Sequence, residues 1–350
     1  MTMTAFELDT GAQAEALARV SRHYLAAGAA SLHAASAVAR GASGVLLVGM
    51  GSSRAASLTA ATTIGTRWPT QVHEAGELLH YGMRTIGPDA LVVLVSQSGR
   101  SFETVAVGQQ LRAAGHARII AVTNDPSSPM ASLADVVLPI EAGDEATVST
   151  KTWITSFAVL TMLAATLVHG EDASPGIPGA VLEAVRVTCE DERLADAAAE
   201  QLAVCTALVV VARGPALAAA DYGALILKET TAIPVECMAG GSFRHGPFEL
   251  IGPAVGVIVL APSGSTRELC VSLAQETATL GSPTWLICDD AGSSPAQTER
   301  LRVTTLRRVP EVYSPLTLGV PLQRLAANLA RMRGREPGVL LRSRKVTDRE

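Results

Sequence analysis

The 350-residue chain is long enough for two average domains or one large one, and its 28 basic and 33 acidic residues give a net charge of −5. This balance excludes a general attraction for nucleic acid, although it leaves room for a locally basic pocket that holds one small phosphate. A hydrophobic content of 48% with 3% aromatic residues is typical of buried parallel strands and small-residue helix packing, not of disorder.

The cysteines and the N-terminal segment favour a reducing compartment. Five widely spaced cysteines form no C-x-x-C pair and no His/Cys cluster with metal-ligand spacing, so we expect buried thiols, no metal and no cofactor. The opening MTMTAFELDTG has no basic region followed by an apolar run and therefore does not resemble a secretory signal. The most apolar stretch, Ile154 to Val168, is short for a bilayer span, so we predict a core helix in a cytoplasmic protein that contacts no membrane.

Helices and short apolar runs alternate through the first half of the chain. Residues 12–40 are alanine-rich with apolar positions at helical spacing, which predicts one or two entry helices. Helices are predicted around Arg54–Ile64 and Phe102–Ala114, and a long helix, Thr152–Val168, closes this half. The predicted strands are Val45–Val48, Leu91–Val95, Arg118–Val122 and Val136–Ile140. This order predicts right-handed βαβ units and a parallel sheet covered on both faces.

The second half repeats this plan after a Pro/Gly-rich break at Ser174–Gly179. LLVGMGSS aligns with VVVARGPA, VLVSQSGRS with IVLAPSGST, and IIAVTND with WLICDD. We therefore predict an α/β protein with two tandem doubly wound parallel-sheet subdomains and N-terminal helices; the alternative is a single doubly wound fold with a helical appendage. The expected divisions are an N-terminal helical segment at 1–40, a first domain at 41–172, a second at 200–340 and a tail at 341–350. The second-half strands and helix are predicted at Ala207–Ala212, Val255–Leu260, Thr284–Cys288 and Asp221–Thr230.

Two loops that leave predicted strands could bind an anion. Gly49–Ser53 opens a helix, but a tight turn with an N-cap explains it equally well, and its spacing is not the dinucleotide fingerprint. The segment Ser96–Ser101 presents three hydroxyls and an amide at a helix N-terminus, which is more than capping requires. Neutral donors and the helix dipole can hold a phosphate dianion there. A third loop, Glu145–Lys151, ends the first half at the position where ligands bind in such sheets, although its hydroxyls could simply cap the next helix.

Two ionisable residues in the second half suit proton transfer. Glu229 lies on a predicted helix among apolar residues, where its carboxylate is either solvated or held in a cleft with a raised pKa. His245 is flanked by glycines and a Gly-Pro pair, so an ordered loop presents it. Aldose–ketose chemistry needs a base between C1 and C2 and an acid/base for ring opening, and these residues fit those tasks.

Together these residues resemble the sugar isomerase (SIS) domain family, in particular the isomerase half of glutamine–fructose-6-phosphate aminotransferase. The resemblance covers the chain from about Val45 onward. Its motifs are VSQSG (Val95–Gly99), AGDEATVSTK (Ala142–Lys151), LKE (Leu227–Glu229) and FRHGPFELI (Phe243–Ile251).

The resemblance implies a role for each matching position. Glu229 would be the C1/C2 base, and His245 would assist ring opening from the neighbouring subunit of a homodimer or higher homo-oligomer. The tail Arg344–Thr347 would fold over the sugar, with Lys345 in contact with the substrate. The residues expected to hold the phosphate are Ser53, Ser96, Gln97, Ser98 and Ser101. The residues expected to contact the sugar are Gly51, Ser52, Thr147, Ser149 and Lys151.

Departures from the aminotransferase pattern redirect the expected reaction. The chain shows no glutaminase domain, and Tyr222 and Ile226 stand where the aminotransferase helix carries a Glu and a Lys. We therefore expect a hexose 6-phosphate ligand and the degradative direction, from an amino-sugar phosphate similar to glucosamine 6-phosphate towards fructose 6-phosphate. The alternatives are a fructose-amino-acid 6-phosphate deglycase, which HGPFE (His245–Glu249) also resembles, and a non-catalytic phosphosugar sensor.

Overall fold

The computed structural model describes residues 3–290 and 294–345, which form two compact units. The first unit contains Glu15–Glu145, Lys151–Pro178 and the described residues from Arg342 onward. The second contains the chain up to Ala14, Ala146–Thr150 and Gly179–Leu341. Val346 and Thr347 of the predicted tail lie outside the described residues.

The secondary structure alternates as expected. The helices are α1 (Ala5–Gly11), α2 (Gln13–Tyr24), α3 (Ala29–Val38), α4 (Gly51–Ile64), α5 (Ala75–Glu77), α6 (Phe102–Ala113), α7 (Lys151–His169), α8 (Gly179–Glu190), α9 (Asp196–Leu202), α10 (Leu217–Thr231), α11 (Gly240–Arg244), α12 (Arg267–Thr279) and α13 (Ser314–Met332). The strands are β1 (Val45–Gly49), β2 (Thr70–Glu74), β3 (Leu91–Val95), β4 (Ile119–Thr123), β5 (Val136–Pro139), β6 (Ala207–Ala212), β7 (Val235–Ala239), β8 (Val255–Ala261), β9 (Thr284–Asp289) and β10 (Leu301–Leu306).

Each unit contains one parallel five-stranded sheet, with order β2-β1-β3-β4-β5 in the first and β10-β9-β8-β6-β7 in the second. The two orders are equivalent, because in both sheets the first strand lies between the second and third strands of its repeat. This arrangement confirms the predicted tandem doubly wound α/β fold. It also creates a point in each sheet where the chain reverses its direction of progress, and ligands bind outside the strand ends at such points.

Apolar side chains explain why the central strands form. β1, β3 and β4 are buried along their whole length, and alternate residues of β1 and β3 pack with Val107 and Leu111 of α6. In the second unit, residues of β6, β8 and β9 pack with α12 and with Phe243. This packing fixes the carboxyl ends of the strands, and these ends in turn determine where the following loops begin.

Helix α7 is longer than the predicted apolar stretch. Its 19 residues are apolar enough to cross a membrane by length and composition alone, so the expectation that this segment is too short was wrong on length. However, 83% of its most apolar window is buried inside the structure, which is what a core helix of a globular domain shows.

Candidate functional site

The loops after β1 and β3 meet at the reversal point of the first sheet. The two strands are neighbours, and a Cβ on Gly49 would lie 2.9 Å from the Val95 carbonyl oxygen, so the strand ends approach closely. Gly51 follows with φ +48°, a left-handed conformation that glycine adopts without strain. α4 begins at this residue, and Ser52 and Ser53 lie half-buried in its first turn.

The loop after β3 places its hydroxyls close together. Ser96 is buried, and its Oγ lies 3.0 Å from Oγ of Ser101, the residue that precedes α6. Gly99 turns the chain with φ +60°, and Ser98 Oγ accepts a hydrogen bond from the Arg100 backbone N–H at 3.2 Å. Within the described residues, the Ser101 hydroxyl makes no capping hydrogen bond to α6. The serines therefore do more than terminate a helix.

Several polar groups of this crevice remain available to a ligand. In the described part of the chain, the side chains of Ser52, Ser53 and Gln97 make no hydrogen bond, while the Gln97 carbonyl is held by Thr123 Oγ1 at 3.2 Å. The Arg100 guanidinium is exposed and pairs with Asp125 at 3.0 Å. Hydrogen bonds from Ser127, and then from Arg100, lower the pKa of Asp125.

The electrostatics of the crevice favour a small anion. The N-termini of α4 and α6 carry unpaired backbone N–H groups and the positive ends of two helix dipoles. Hydroxyl and amide donors surround them, so a phosphate could be bound by neutral donors alone. These residues fit a phosphate group better than a metal ion, which requires carboxylate, imidazole or thiolate ligands.

The C-terminal segment contacts the end of the first unit through Lys345. Its Nζ donates to the Glu145 carbonyl at 2.5 Å and to Glu145 Oε2 at 3.0 Å. The Glu145 side chain is fully buried and also accepts hydrogen bonds from the backbone N–H and hydroxyl of Thr152 at 3.0 and 2.6 Å. Lys151 Nζ donates to the Asp144 carbonyl at 2.5 Å. A buried carboxylate thus holds the Lys345 ammonium group at a defined position.

In the second unit, α10 carries Glu229 near its C-terminus. Burial raises the pKa of this carboxyl to about 7, although the positive charge of Lys228 acts to lower it. Tyr222 and Ile226 lie two turns and one turn earlier on the same face and are fully buried, so the side chain emerges from an apolar surface. A carboxyl with a pKa near neutrality can both accept and return a proton. Of the two possibilities that the sequence leaves for Glu229, the burial therefore fits a carboxyl held in a cleft with a raised pKa.

His245 is presented by a rigid loop between two aromatic anchors. Phe243 is buried in the core of the second unit, and its ring meets that of Phe248 edge to face at 5.7 Å. Arg244 lies over Phe248 and pairs with Glu276 at 2.6 Å. The His245 side chain is exposed, and it makes no hydrogen bond within the described residues. Its imidazole is therefore open to solvent.

The predicted site residues are divided between the units. The first unit holds Gly51, Ser52, Ser53, Ser96, Gln97, Ser98, Ser101, Lys151 and Lys345. The second holds Thr147, Ser149, Glu229 and His245. Thr147 Oγ1 is buried without a hydrogen-bond partner among the described residues, whereas the Ser149 carbonyl accepts a hydrogen bond from the Tyr222 hydroxyl at 2.7 Å.

Sequence reasoning missed two sets of residues around the site. Glu145 was noticed as part of a motif but not as the partner of Lys345, which lies 200 positions away. Gln323, which donates to the Tyr222 hydroxyl, and Gln13, which bonds to Gln323, were not singled out at all. The acidic residue at the end of the AGDE run was a usable signal for Glu145; the two glutamines lie in ordinary helical sequence and give none.

Comparisons with known proteins identify the family of this chain. A model of the SIS domain matches residues 40–166 and 201–333. The glutamine–fructose-6-phosphate aminotransferase (isomerizing) of Zymomonas mobilis is 33% identical over 305 residues, which cover 83% of this chain and 49% of that protein. The chain thus spans about half the length of the curated relatives it matches.

Solved structures share the fold over the whole chain. The C-terminal domain of glucosamine–fructose-6-phosphate aminotransferase from Francisella tularensis superposes with a TM-score of 0.84 at 21% identity, covering 96% of this chain and 98% of that one. Glucosamine-6-phosphate deaminase from Thermotoga maritima gives 0.75 at 20% identity, with 98% and 99% covered.

Proposed function

The chain belongs to the SIS-domain family, and we propose that it is a phosphosugar enzyme that converts an amino-sugar 6-phosphate into a ketose 6-phosphate. The observation that carries the proposal is the crevice after β1 and β3, where clustered hydroxyls and two helix N-termini remain open to an anion. The whole proteins it resembles act on fructose 6-phosphate by name, which supports a hexose phosphate as the ligand.

The first unit supplies the phosphate contacts in this proposal. Ser53, Ser96, Gln97, Ser98 and Ser101 donate to the phosphate oxygens, and the dipoles of α4 and α6 offset its charge. The open donors of Ser52 and the Gly51 backbone, with Lys151, Thr147 and Ser149, are assigned to the sugar. Lys345, held by Glu145, is assigned to the reacting end of the open chain.

Glu229 supplies the proton transfer. After His245 assists ring opening, the Glu229 carboxylate removes the C2 proton of the open-chain amino aldose and returns it at C1. The C–N bond at C2 thereby becomes a ketimine, which water hydrolyses to the ketose phosphate and ammonia. A base whose pKa is about 7 exchanges its proton near neutral pH and can complete both proton steps.

The face of α10 supports the degradative direction. Tyr222 and Ile226 are buried on the face that leads to the base, so they place no ammonium group in the two turns before Glu229 that would handle an incoming amine. The same observation favours a second candidate, the deglycation of a fructose-amino-acid 6-phosphate, because that reaction also relies on a carboxylate and an imidazole.

The exposure of His245 supports a shared site in a homodimer. An imidazole that is open to solvent in one chain can complete the site of a neighbouring subunit, as is usual in the family. We propose that the protein works as such an oligomer in the cytoplasm.

The test is a ligand panel followed by product identification. Thermal shift with hexose, hexosamine and fructose-amino-acid 6-phosphates should raise the melting temperature for the hits, because a ligand that binds the folded state stabilises it by mass action. The matching unphosphorylated sugars are the controls. Ammonia and fructose 6-phosphate from glucosamine 6-phosphate would support the deaminase; cleavage restricted to fructose-amino-acid phosphates would support the deglycase. Binding of one of these compounds without turnover of any of them would support the non-catalytic phosphosugar sensor.

A further inference from the structure

Tyr222 joins the helix that carries Glu229 to the loop that carries Thr147 and Ser149. Its ring is fully buried, and its hydroxyl lies 2.7 Å from the Ser149 carbonyl oxygen. A carbonyl can only accept, so the tyrosine donates its single proton to Ser149. All of these residues belong to the second unit.

A buried pair of glutamines fixes the direction of this hydrogen bond. Gln323 of α13 donates to the Tyr222 oxygen at 2.7 Å, so the phenol accepts from one side and donates to the other. Gln13 and Gln323 also bond to each other, at 2.6 and 3.0 Å, and Gln13 donates to the Thr10 carbonyl at 2.9 Å. Both glutamines are completely buried, so water does not compete for these groups.

The loop at 146–150 lies outside the helices and strands, so side-chain and backbone contacts contribute to its position. Ala146 N–H reaches Asp9 at 3.3 Å, and Val148 is buried, but the peptide of Ser149 is oriented by the tyrosine hydroxyl. Tyr222 precedes Glu229 by seven residues on α10, which places both on one face of a rigid helix.

We propose that Tyr222 is a positioning residue that sets the Thr147–Ser149 segment relative to the base Glu229, with Gln13 and Gln323 as its fixed support. The proposal rests on the proposed function, since it assigns that segment to the sugar. Tyr222 does not touch the reacting atoms. It determines where the sugar hydroxyls lie with respect to the carboxylate, and it does so through a neutral hydroxyl.

The test is Tyr222→Phe, which removes the hydroxyl and keeps the ring. Hydrogen exchange at the amides of 146–150 should become faster, because the Ser149 carbonyl loses a buried donor. The dissociation constant of the hexose 6-phosphate found in the panel should rise roughly tenfold, as expected for one lost hydrogen bond to a buried acceptor. The dissociation constant of inorganic phosphate should not change, and neither should the midpoint of the acid limb in the pH profile of kcat/KM.

Tyr24→Phe is the matched control. Tyr24 is also fully buried, and its hydroxyl also donates to a backbone carbonyl, that of Pro139 at 2.9 Å, but in the first unit. This variant should lose similar stability without a change in exchange at 146–150 or in sugar-phosphate binding. Gln323→Met, which removes the support and spares the Tyr222–Ser149 contact, should show a smaller effect and carries the test if Tyr222→Phe does not fold.

The outcomes separate the two proposals. If exchange at 146–150 is the same in Tyr222→Phe and Tyr24→Phe, the positioning role is overturned whatever the ligand is. Faster exchange with unchanged sugar-phosphate binding overturns it as well, as does an equal loss of phosphate binding, which would indicate a general structural defect. A wild-type protein that binds no hexose phosphate refutes the proposed function, while the exchange result still decides whether Tyr222 anchors the loop.

Discussion

The two repeats build the same crevice and fill it differently. The loops after β1 and β3 correspond to those after β6 and β8, and Gly51 and Gly99 correspond to Gly214 and Gly264. In the first repeat the hydroxyls around these glycines pair with each other or stay open. In the second repeat, Ser263 donates both its N–H and its hydroxyl to Asp289, at 2.7 and 2.8 Å.

A second carboxylate occupies the remaining space of the second crevice. A Cβ on Gly264 would lie 2.2 Å from the carboxyl carbon of Glu311, and one on Gly214 would lie 3.6 Å from Glu311 Oε1. Protein carboxylates thus occupy the crevice of the second repeat, where Arg267 Nε also lies 3.9 Å from Asp289 Oδ1. The two crevices therefore differ in their polar groups: the first is the proposed phosphate site, and the second is occupied by protein carboxylates, while α10 of the second repeat carries the proposed base.

The largest effect is expected at that base. Glu229→Gln keeps the shape of the side chain but cannot accept a proton, so kcat should fall by about 10²–10⁴-fold, the usual contribution of a general base. Binding of the hexose 6-phosphate, measured by calorimetry, should stay within a few-fold because the first repeat is intact. Glu236→Gln, at an exposed glutamate of β7, is the control and should keep full activity. If the Glu229→Gln enzyme stays active, Glu229 is not the base, and the proposed role of the second repeat in proton transfer is refuted.

The pH dependence should report the same carboxyl. Burial raises the pKa of Glu229 to about 7, so below that pH the neutral acid dominates and kcat/KM should fall about tenfold per pH unit. The wild-type profile should therefore bend near pH 7, and Glu236→Gln should share that bend. A profile that stays flat down to pH 5 would mean that this carboxyl keeps its ordinary pKa or is not the base.

The same shift also links stability to pH. Between the ordinary value of 4.5 and about 7, the folded chain keeps a proton at Glu229 that the unfolded chain has released. The contribution of this group to stability is complete below the lower value and is lost as the pH rises through the upper one. Melting temperatures of the wild type and of Glu229→Gln should therefore differ in slope across this window.

The sequence could predict what is encoded locally. The central strands are apolar runs between turn residues. Their order along the chain, the duplication of the unit and the polar loops that follow the strands could therefore all be predicted from the sequence. β2, β7 and β10 were not, because each lies at the edge of its sheet, where one face or side stays exposed and residues such as those of Thr70–Glu74 need not be apolar. The contacts of Lys345 with Glu145 and of Gln323 with Tyr222 join distant positions, and single-sequence patterns contain no signal for them.

Matched serine substitutions compare the two crevices directly. Ser98→Ala with Ser101→Ala should weaken the binding of the hexose 6-phosphate roughly 100-fold, since each hydrogen bond to a charged group contributes about 1.5–3 kcal/mol and the loop can partly compensate. Ser263→Ala should lower the melting temperature, because Asp289 loses a donor, but should leave the dissociation constant unchanged. Calorimetry should give one ligand per chain. Two ligands, or equal losses in both variants, would mean that the second crevice also binds phosphate.

The smallest effect tests whether Glu311 fills the second crevice. Gly264→Ala should destabilise the protein by about 1–2 kcal/mol, because the new methyl group would overlap the Glu311 carboxyl. In a Glu311→Ala background the part of this cost that comes from the clash should disappear, whereas the part that comes from the φ of +158° at Gly264 should remain. The clash should therefore appear as a coupling energy of at least about 0.5 kcal/mol in chemical denaturation. Gly179→Ala, where no described atom lies within 4 Å of the new Cβ, is the neutral control.

The first crevice should not show this rescue. A Cβ on Gly99 would lie 2.0 Å from Ser128 Oγ and 2.5 Å from its Cβ, and Gly99 has φ +60°. Ser128→Ala would remove the hydroxyl but not the Cβ or the backbone strain, so Gly99→Ala should remain destabilising in that background. Coupling at Gly264 without rescue at Gly99 is the pattern expected if the second crevice is closed by a movable carboxylate and the first is shaped by its backbone. Additive costs for Gly264→Ala and Glu311→Ala would contradict it.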